Sequence, residues 1–240
     1  MSFFSGLVTR LEEPFVTMNV TSTQRIGSHI QKVVLAYPGN AGLRFGTGCY
    51  ITPMVGGSVP RSYSIVEWTD TTCTIIVSFS GMGVGARFFM TAPVGTRVKV
   101  YGPYSDFPYH PGTGRSKIFL ATGTGIAPFV KMVPEAMQEG MLSLLVLGVP
   151  REGDIPYRQY FEKLGQSGEL FFPLFTLSRP EAGWKGGRGY VTDQFTGERE
   201  EWLRTSDVYV CGVPGMIEGA LAMLRRARVP KEQIFVQQFG

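Results

Sequence analysis

Two hydrophobic rhythms share this chain, and they meet at a Pro/Gly-rich stretch, residues 108–116 (PYHPGTGRS). Before it, short apolar, β-branched and aromatic runs recur between turn signals, at residues 15–20, 30–37, 47–52, 62–68, 74–79 and 97–101. Gly and Pro punctuate the gaps, as at Pro38-Gly39-Asn40 and Pro93-Val94-Gly95. Strands this short and numerous leave exposed edges unless the sheet closes, so an antiparallel six-stranded β-barrel is expected over residues 1–111. After the stretch, apolar runs (118–121, 142–147, 170–177, 207–211, 234–236) alternate with helical patterns (to about 138, near 156–164, and 215–226). That alternation reads as an α/β domain, residues 112–240, with a parallel sheet covered on both faces. Such sheets hold nucleotides at the C-terminal ends of their strands, where the strand order reverses. Residues 108–116 read as the linker.

Composition narrows the function. Apolar residues make up 43% of the 240, enough for two cores, and charged residues only 18%. The net charge is +4, and residues 1–111 carry eight Lys/Arg against five Asp/Glu. This basicity suits a phosphorylated cofactor or an acidic protein partner and is too scattered for nucleic acid. Three separated Cys and two His, with no CxxC, provide neither a disulfide framework nor cluster or metal ligands. No secretory leader and no apolar run of membrane-spanning length is visible, so a cytoplasmic protein without a membrane span is expected.

Four constellations carry candidate chemistry. Gly123-Thr124-Gly125-Ile126-Ala127-Pro128 follows an apolar strand; its glycines let the backbone approach a pyrophosphate at a helix N-terminus, although a tight strand-to-helix turn needs no ligand. Arg61-Ser62-Tyr63-Ser64 offers a phosphate partner, a flat ring and hydroxyls. Alternation sets Arg61 and Tyr63 on one face and Ser62 and Ser64 on the other. Read alone, they are a surface cation and a core ring. Gly81-Met82-Gly83-Val84-Gly85-Ala86 could cradle phosphate with backbone amides, with a helical turn starting near Ala86, or be a plain hairpin loop. Cys211-Gly212-Val213-Pro214-Gly215-Met216 again ends a strand and opens a helix, and a free Cys there is ordinarily buried and inert.

Taken in order, these pieces and Gly102-Pro103-Tyr104-Ser105-Asp106-Phe107 resemble the ferredoxin–NADP reductase superfamily over essentially the whole chain. The resemblance implies an NAD(P)H-dependent flavin oxidoreductase with FAD as cofactor. Arg61 would pair with the flavin pyrophosphate, with Ser62 in the same motif. Tyr63 would stack on the isoalloxazine and Ser64 lie near its N5. Gly83, Val84, Gly85 and Ala86 would bind phosphate, although Ala86 stands where relatives have Ser. Gly123, Thr124 and Gly125 would hold the nicotinamide nucleotide, with Cys211, Gly212 and Met216 beside it. Tyr63, Ser64 and Cys211 are the implied catalytic residues, and Phe239 would cover the flavin. NADPH or NADH is the implied substrate; Ser178, Arg179 and Arg188 suit a 2′-phosphate and tip the reading towards NADPH. With no attached iron–sulfur domain, electrons would pass to an external acceptor such as a ferredoxin or an oxygenase component. A free-flavin or ferric reductase, or a nucleotide-sensing module that has lost flavin, are the alternative readings.

Overall fold

The computed structural model describes residues 15–57 and 59–238. The chain divides into two compact units. One runs to Arg25 and resumes over Gln31–Pro108; the other takes Ile26–Ile30 and everything from Tyr109.

The first unit is the expected barrel. Its strands are β1 (Val16–Gly27), β2 (Ile30–Ala36), β3 (Tyr50–Val55), β4 (Val59–Pro60), β5 (Tyr63–Trp68), β6 (Thr72–Ser78) and β7 (Arg97–Tyr104). They lie in the order β4-β3-β5-β6-β2-β1-β7, and a further β3–β7 pairing closes the sheet, leaving the two-residue β4 as an appendage. Period-two patterning makes the core: Met18, Val20, Val33, Leu35, Ile75, Val77, Val98 and Val100 all point inward and are buried. Helix α1 (Val84–Thr91) packs on this core through Phe89, which is fully buried. Strand β1 runs well past residue 20, through polar, solvent-facing Thr21, Ser22, Thr23 and Gln24. No apolar alternation marks that extension, so patterning alone ends the strand too soon. The third strand is shifted, starting at Tyr50 rather than at Thr47.

The second unit holds β8 (Ser116–Thr122), α2 (Phe129–Gln138), β9 (Ser143–Val149), α3 (Arg158–Gln166), β10 (Phe171–Leu177), β11 (Gly187–Arg188), α4 (Glu198–Thr205), β12 (Ser206–Gly212), α5 (Pro214–Arg226) and β13 (Ile234–Gln238). The sheet order is β11-β10-β9-β8-β12-β13, and each neighbouring pair in it is parallel. The order grows outward from β8 in both directions, so the switch point lies between β8 and β12. One sheet face, with Ile118, Leu120, Val208 and Val210, packs on α5 through Ile217, Ala220 and Leu224 and on α4 through Leu203. The opposite face packs Phe119 against Phe129 of α2 and Phe171 against Phe161 of α3. Burial on both faces explains why β8, β9 and β12 read as continuous apolar runs. Helix α4 escapes sequence reading because only Leu203 of its eight residues is buried.

Residues 109–116 are not a loose tether. The Tyr109 hydroxyl donates to Glu139 at 2.9 Å, and the His110 backbone N–H donates to the Tyr209 hydroxyl at 2.9 Å. Asp207 accepts from Thr113 at 2.6 Å, Arg115 at 2.7 Å and Lys117 at 2.8 Å. Lys117 and Asp207 are both fully buried. Burial alone would raise the Asp207 carboxyl, but the donated hydrogen bonds and the Lys117 charge outweigh it and hold it below its ordinary value. Composition marked this stretch as Pro/Gly-rich; a buried charge network from distant positions straps it down.

Candidate functional site

In the barrel, β5 begins at Tyr63, opposite Ile51 of β3, so Tyr63 turns inward and Ser64, opposite Tyr50, does not. The Tyr63 ring meets Phe89 of α1 edge-on, with centroids 5.5 Å apart. Its hydroxyl reaches the head of α1: a Cβ on Gly85 would lie 2.1 Å from the Tyr63 oxygen and 3.4 Å from Cγ of Arg61. Arg61, Tyr63 and the glycine loop, separated in sequence, are therefore one cluster, and Gly85 is required by close approach. Burial pushes the Tyr63 phenol up to about 12, against a lowering pull from Arg61, so it stays a neutral donor. Arg61 is exposed, with one guanidinium N–H on the Pro60 carbonyl at 2.8 Å. Ser62 exchanges a hydrogen bond with Thr52 at 3.0 Å, and Ser64 is buried.

Gly83 caps α1 without a side-chain hydrogen bond, and no acidic residue stands in its first turn. The helix starts at Val84, two residues before the expected turn. Its head thus presents Val84, Gly85 and Ala86 amides and a positive dipole end, with the stem of Arg61 beside Gly85. Ala86 is nearly buried and contributes only backbone.

In the second unit, both glycine motifs land at the switch point. Gly123–Ile126 forms a 3-10 turn off β8, and α5 starts at Pro214 off β12. The two loops interlock. A Cβ on Gly125 would sit 2.2 Å from the Cys211 carbonyl oxygen, and one on Gly212 would sit 2.3 Å from Oγ1 of Thr122 and 2.7 Å from Cε of Met216. The backbones can close on each other only because both positions lack side chains. Cys211 is opposite Ala121 and fully buried, with its Sγ 3.8 Å from Oε1 of Gln237. Burial holds its thiol well above the ordinary range, so it remains protonated.

Ser178 and Arg179 follow β10, their backbone N–H groups anchored on the carbonyls of Val149 and Pro150 at 3.1 and 2.9 Å. Arg188 of β11 lies opposite Leu177, so it flanks the same strand end. These three are grouped together, three strands along the C-terminal edge from Cys211, roughly 14 Å at about 4.8 Å per strand. Phe239 lies outside the described residues; its neighbour Gln238 pairs with Gly212 beside the switch point.

Sequence reading missed three residues here. Thr122 accepts from the Val213 N–H at 3.4 Å and fills the space beside Gly212. Gly148 lies between Thr122 and Thr176 in register, and a Cβ there would stand 2.7 Å from Cγ2 of Val191. Tyr190 is 70% exposed, two residues from Arg188. An aromatic ring at a strand end beside two arginines was the available signal for Tyr190; Thr122 and Gly148 carried none.

The Oxidoreductase NAD-binding domain family matches residues 119–221, which include both switch-point loops and the Ser178–Arg188 region. Ferredoxin--NADP reductase B of Sorangium cellulosum is 28% identical over 199 residues, covering 79% of this chain and 82% of that protein. These matches bear out the resemblance to the ferredoxin–NADP reductase superfamily. The reductase component of propane 2-monooxygenase from Rhodococcus jostii is 26% identical to this reductase over 235 residues, 93% of this chain and 63% of its own length. The fold of the cytochrome P450 reductase GcoB of Amycolatopsis superposes with a TM-score of 0.84 at 24% identity, over 94% of this chain and 70% of that one. The reductase is thus an oxidoreductase of the ferredoxin–NADP reductase type. No described helix is long and apolar enough to cross a membrane.

Proposed function

We propose that this reductase takes hydride from NADPH, in preference to NADH, onto FAD held by the barrel, and passes the electrons to a separate acceptor protein such as a ferredoxin or an oxygenase component. The observation that carries the reading is the gathering of Arg61, Tyr63 and the uncapped head of α1 around Gly85. A helix head with free amides and no carboxylate, with the Arg61 side chain alongside, fits a pyrophosphate. Bound flavin would supply the redox chemistry, accepting two electrons from the nucleotide and releasing them singly to the acceptor.

The chain's own part is to bind and orient. Arg61 and the Val84, Gly85 and Ala86 amides neutralise the pyrophosphate, and Tyr63 gives the flavin a flat wall and an un-ionised hydroxyl. Ser64, buried on β5, offers a hydroxyl at the ring edge. Across the switch point of the second unit, Gly123, Thr124 and Gly125 take the nucleotide diphosphate, and Cys211, Gly212 and Met216 make a close-packed neutral floor for the nicotinamide. Such a floor excludes water and leaves hydride transfer with no competing acid or base. Ser178, Arg179 and Arg188 pair with the 2′-phosphate, and Tyr190 stacks on the adenine. The relatives named as a ferredoxin--NADP reductase and as an oxygenase reductase component support an external protein acceptor.

The test is NADPH-driven reduction of ferricyanide by the FAD-loaded protein and by Arg61→Ala. The variant should lose flavin affinity by roughly tenfold or more, the worth of one charge-assisted hydrogen bond, and recover turnover when excess FAD is added. An Arg61→Ala protein that binds FAD as the parent does would remove Arg61 from the pyrophosphate site.

A further inference from the structure

Resting on the 2′-phosphate reading above, we infer that Trp184 is a positioning residue for nucleotide selection, holding Arg188 in place at the strand end. Trp184 lies in the loop between β10 and β11, which begins with Ser178 and Arg179. Its carbonyl accepts from Nη2 of Arg188 at 3.2 Å, and its indole N–H donates to the Gly187 carbonyl at 2.8 Å. Its ring packs against Gly186, where a Cβ would collide with the indole. The loop is thereby folded back on itself, with the Arg188 guanidinium tied to its apex.

The indole is held in turn from outside the loop. The Arg158 guanidinium sits over the Trp184 ring, 5.5 Å from its centroid. Arg158 is fixed by Glu162, whose carboxylate accepts from its Nε at 2.7 Å, and by Glu152. From the sheet side, Nε2 of Gln194 donates to the carbonyls of Arg188 and Tyr190 at 2.8 and 3.2 Å, fixing the backbone on which the Arg188 side chain stands.

The consequence concerns selectivity. An exposed arginine loses much rotamer freedom when it pairs with a phosphate, and that loss subtracts from affinity. Arg188 is exposed, yet its guanidinium is already restrained by a carbonyl that the Arg158–Trp184 stack immobilises. Part of the ordering cost is met before the nucleotide arrives. The benefit goes only to a ligand with a 2′-phosphate, so Trp184 contributes to discrimination without touching the nucleotide.

The experiment uses the full-length, FAD-loaded protein and measures binding of 2′,5′-ADP and of 5′-AMP by calorimetry, for the parent, Arg188→Ala, Trp184→Ala and Trp184→Phe. Trp184→Ala should weaken 2′,5′-ADP by about threefold to tenfold, the factor for re-ordering one long side chain, and leave 5′-AMP within about twofold. Trp184→Phe keeps a ring for Arg158 and should recover most of the loss. Arg188→Ala should lose at least as much as Trp184→Ala. If Arg188→Ala is selective but Trp184→Ala binds both ligands as the parent does, the positioning role is wrong and the 2′-phosphate reading stands. If Trp184→Ala weakens both ligands equally, its role is general loop stability, which also overturns the inference. If Arg188→Ala leaves 2′,5′-ADP binding unchanged, the assignment of Arg188 to the 2′-phosphate falls and the inference falls with it.

Discussion

Gly85→Ala is the sharpest perturbation of the barrel cluster. The added methyl carbon would stand 2.1 Å from the Tyr63 hydroxyl oxygen, but 3.4 Å from the ring carbon that bears it and 3.4 Å from Cγ of Arg61. Only the hydroxyl clashes; the other two contacts are ordinary. Gly85 lies in the first turn of α1, whose Phe89 is fully buried beside Tyr63, so neither the helix head nor the ring moves freely. Forcing one extra methyl into such a site costs roughly 1–3 kcal/mol. For a chain of this size that lowers the melting temperature by about 2–4 °C per kcal/mol. Flavin affinity should fall by a factor of about 5 to 150 if the whole strain is relieved by moving the helix head away from Arg61. Tyr63→Phe removes the one clashing atom. The double variant Gly85→Ala/Tyr63→Phe should therefore melt within about 1 kcal/mol of Tyr63→Phe alone. Thermal unfolding of the flavin-free protein and flavin fluorescence quenching read the two effects separately. A Gly85→Ala protein that melts and binds FAD like the parent, or a double variant that adds both losses in full, would refute the packing argument.

Three further outcomes follow from the same geometry. Arg179→Ala should raise KM for NADPH and leave that for NADH nearly unchanged, since it removes a contact only the 2′-phosphate makes; equal effects on both would end the specificity assignment. Asp207→Asn leaves Lys117 buried without a counter-charge and should cost roughly 3–5 kcal/mol, read by chemical denaturation. Because the folded Asp207 carboxyl lies below its ordinary value, its contribution is complete above the unfolded pKa and is lost as pH falls through the folded one; the parent should therefore lose stability in acid more steeply than Asp207→Asn, and parallel profiles would contradict the assignment. Electron delivery to an acidic acceptor protein should slow as salt rises, because the barrel half carries the excess of positive charge; a rate flat across ionic strength would count against a charged partner.

The barrel and the parallel sheet were legible because burial repeats there with a regular period. Met18 and Val20 alternate with polar neighbours, and β8 and β12 are apolar on both faces. Alternation also set Arg61 and Tyr63 on one face. It did not reveal that both lie against Gly85, because that contact depends on where Phe89 seats α1. Elements with little burial stayed hidden: β4 and β11 have two residues each, and α4 turns charged Glu198 and Glu201 to solvent. Thr122, Gly148 and Gln194 matter through neighbours in register or across the sheet, which linear spacing cannot show. The strap of residues 109–116 is the clearest case, since Asp207 lies about ninety positions away from the residues it holds.

Hydride transfer from a nicotinamide nucleotide onto flavin held by this chain can be read by anaerobic titration of the purified protein while flavin absorbance is followed. The protein should be yellow, bleach with stoichiometric NADPH and need more NADH for the same change. A protein that is colourless and refuses added FAD, or whose bound flavin stays oxidised with both nucleotides, would contradict that transfer.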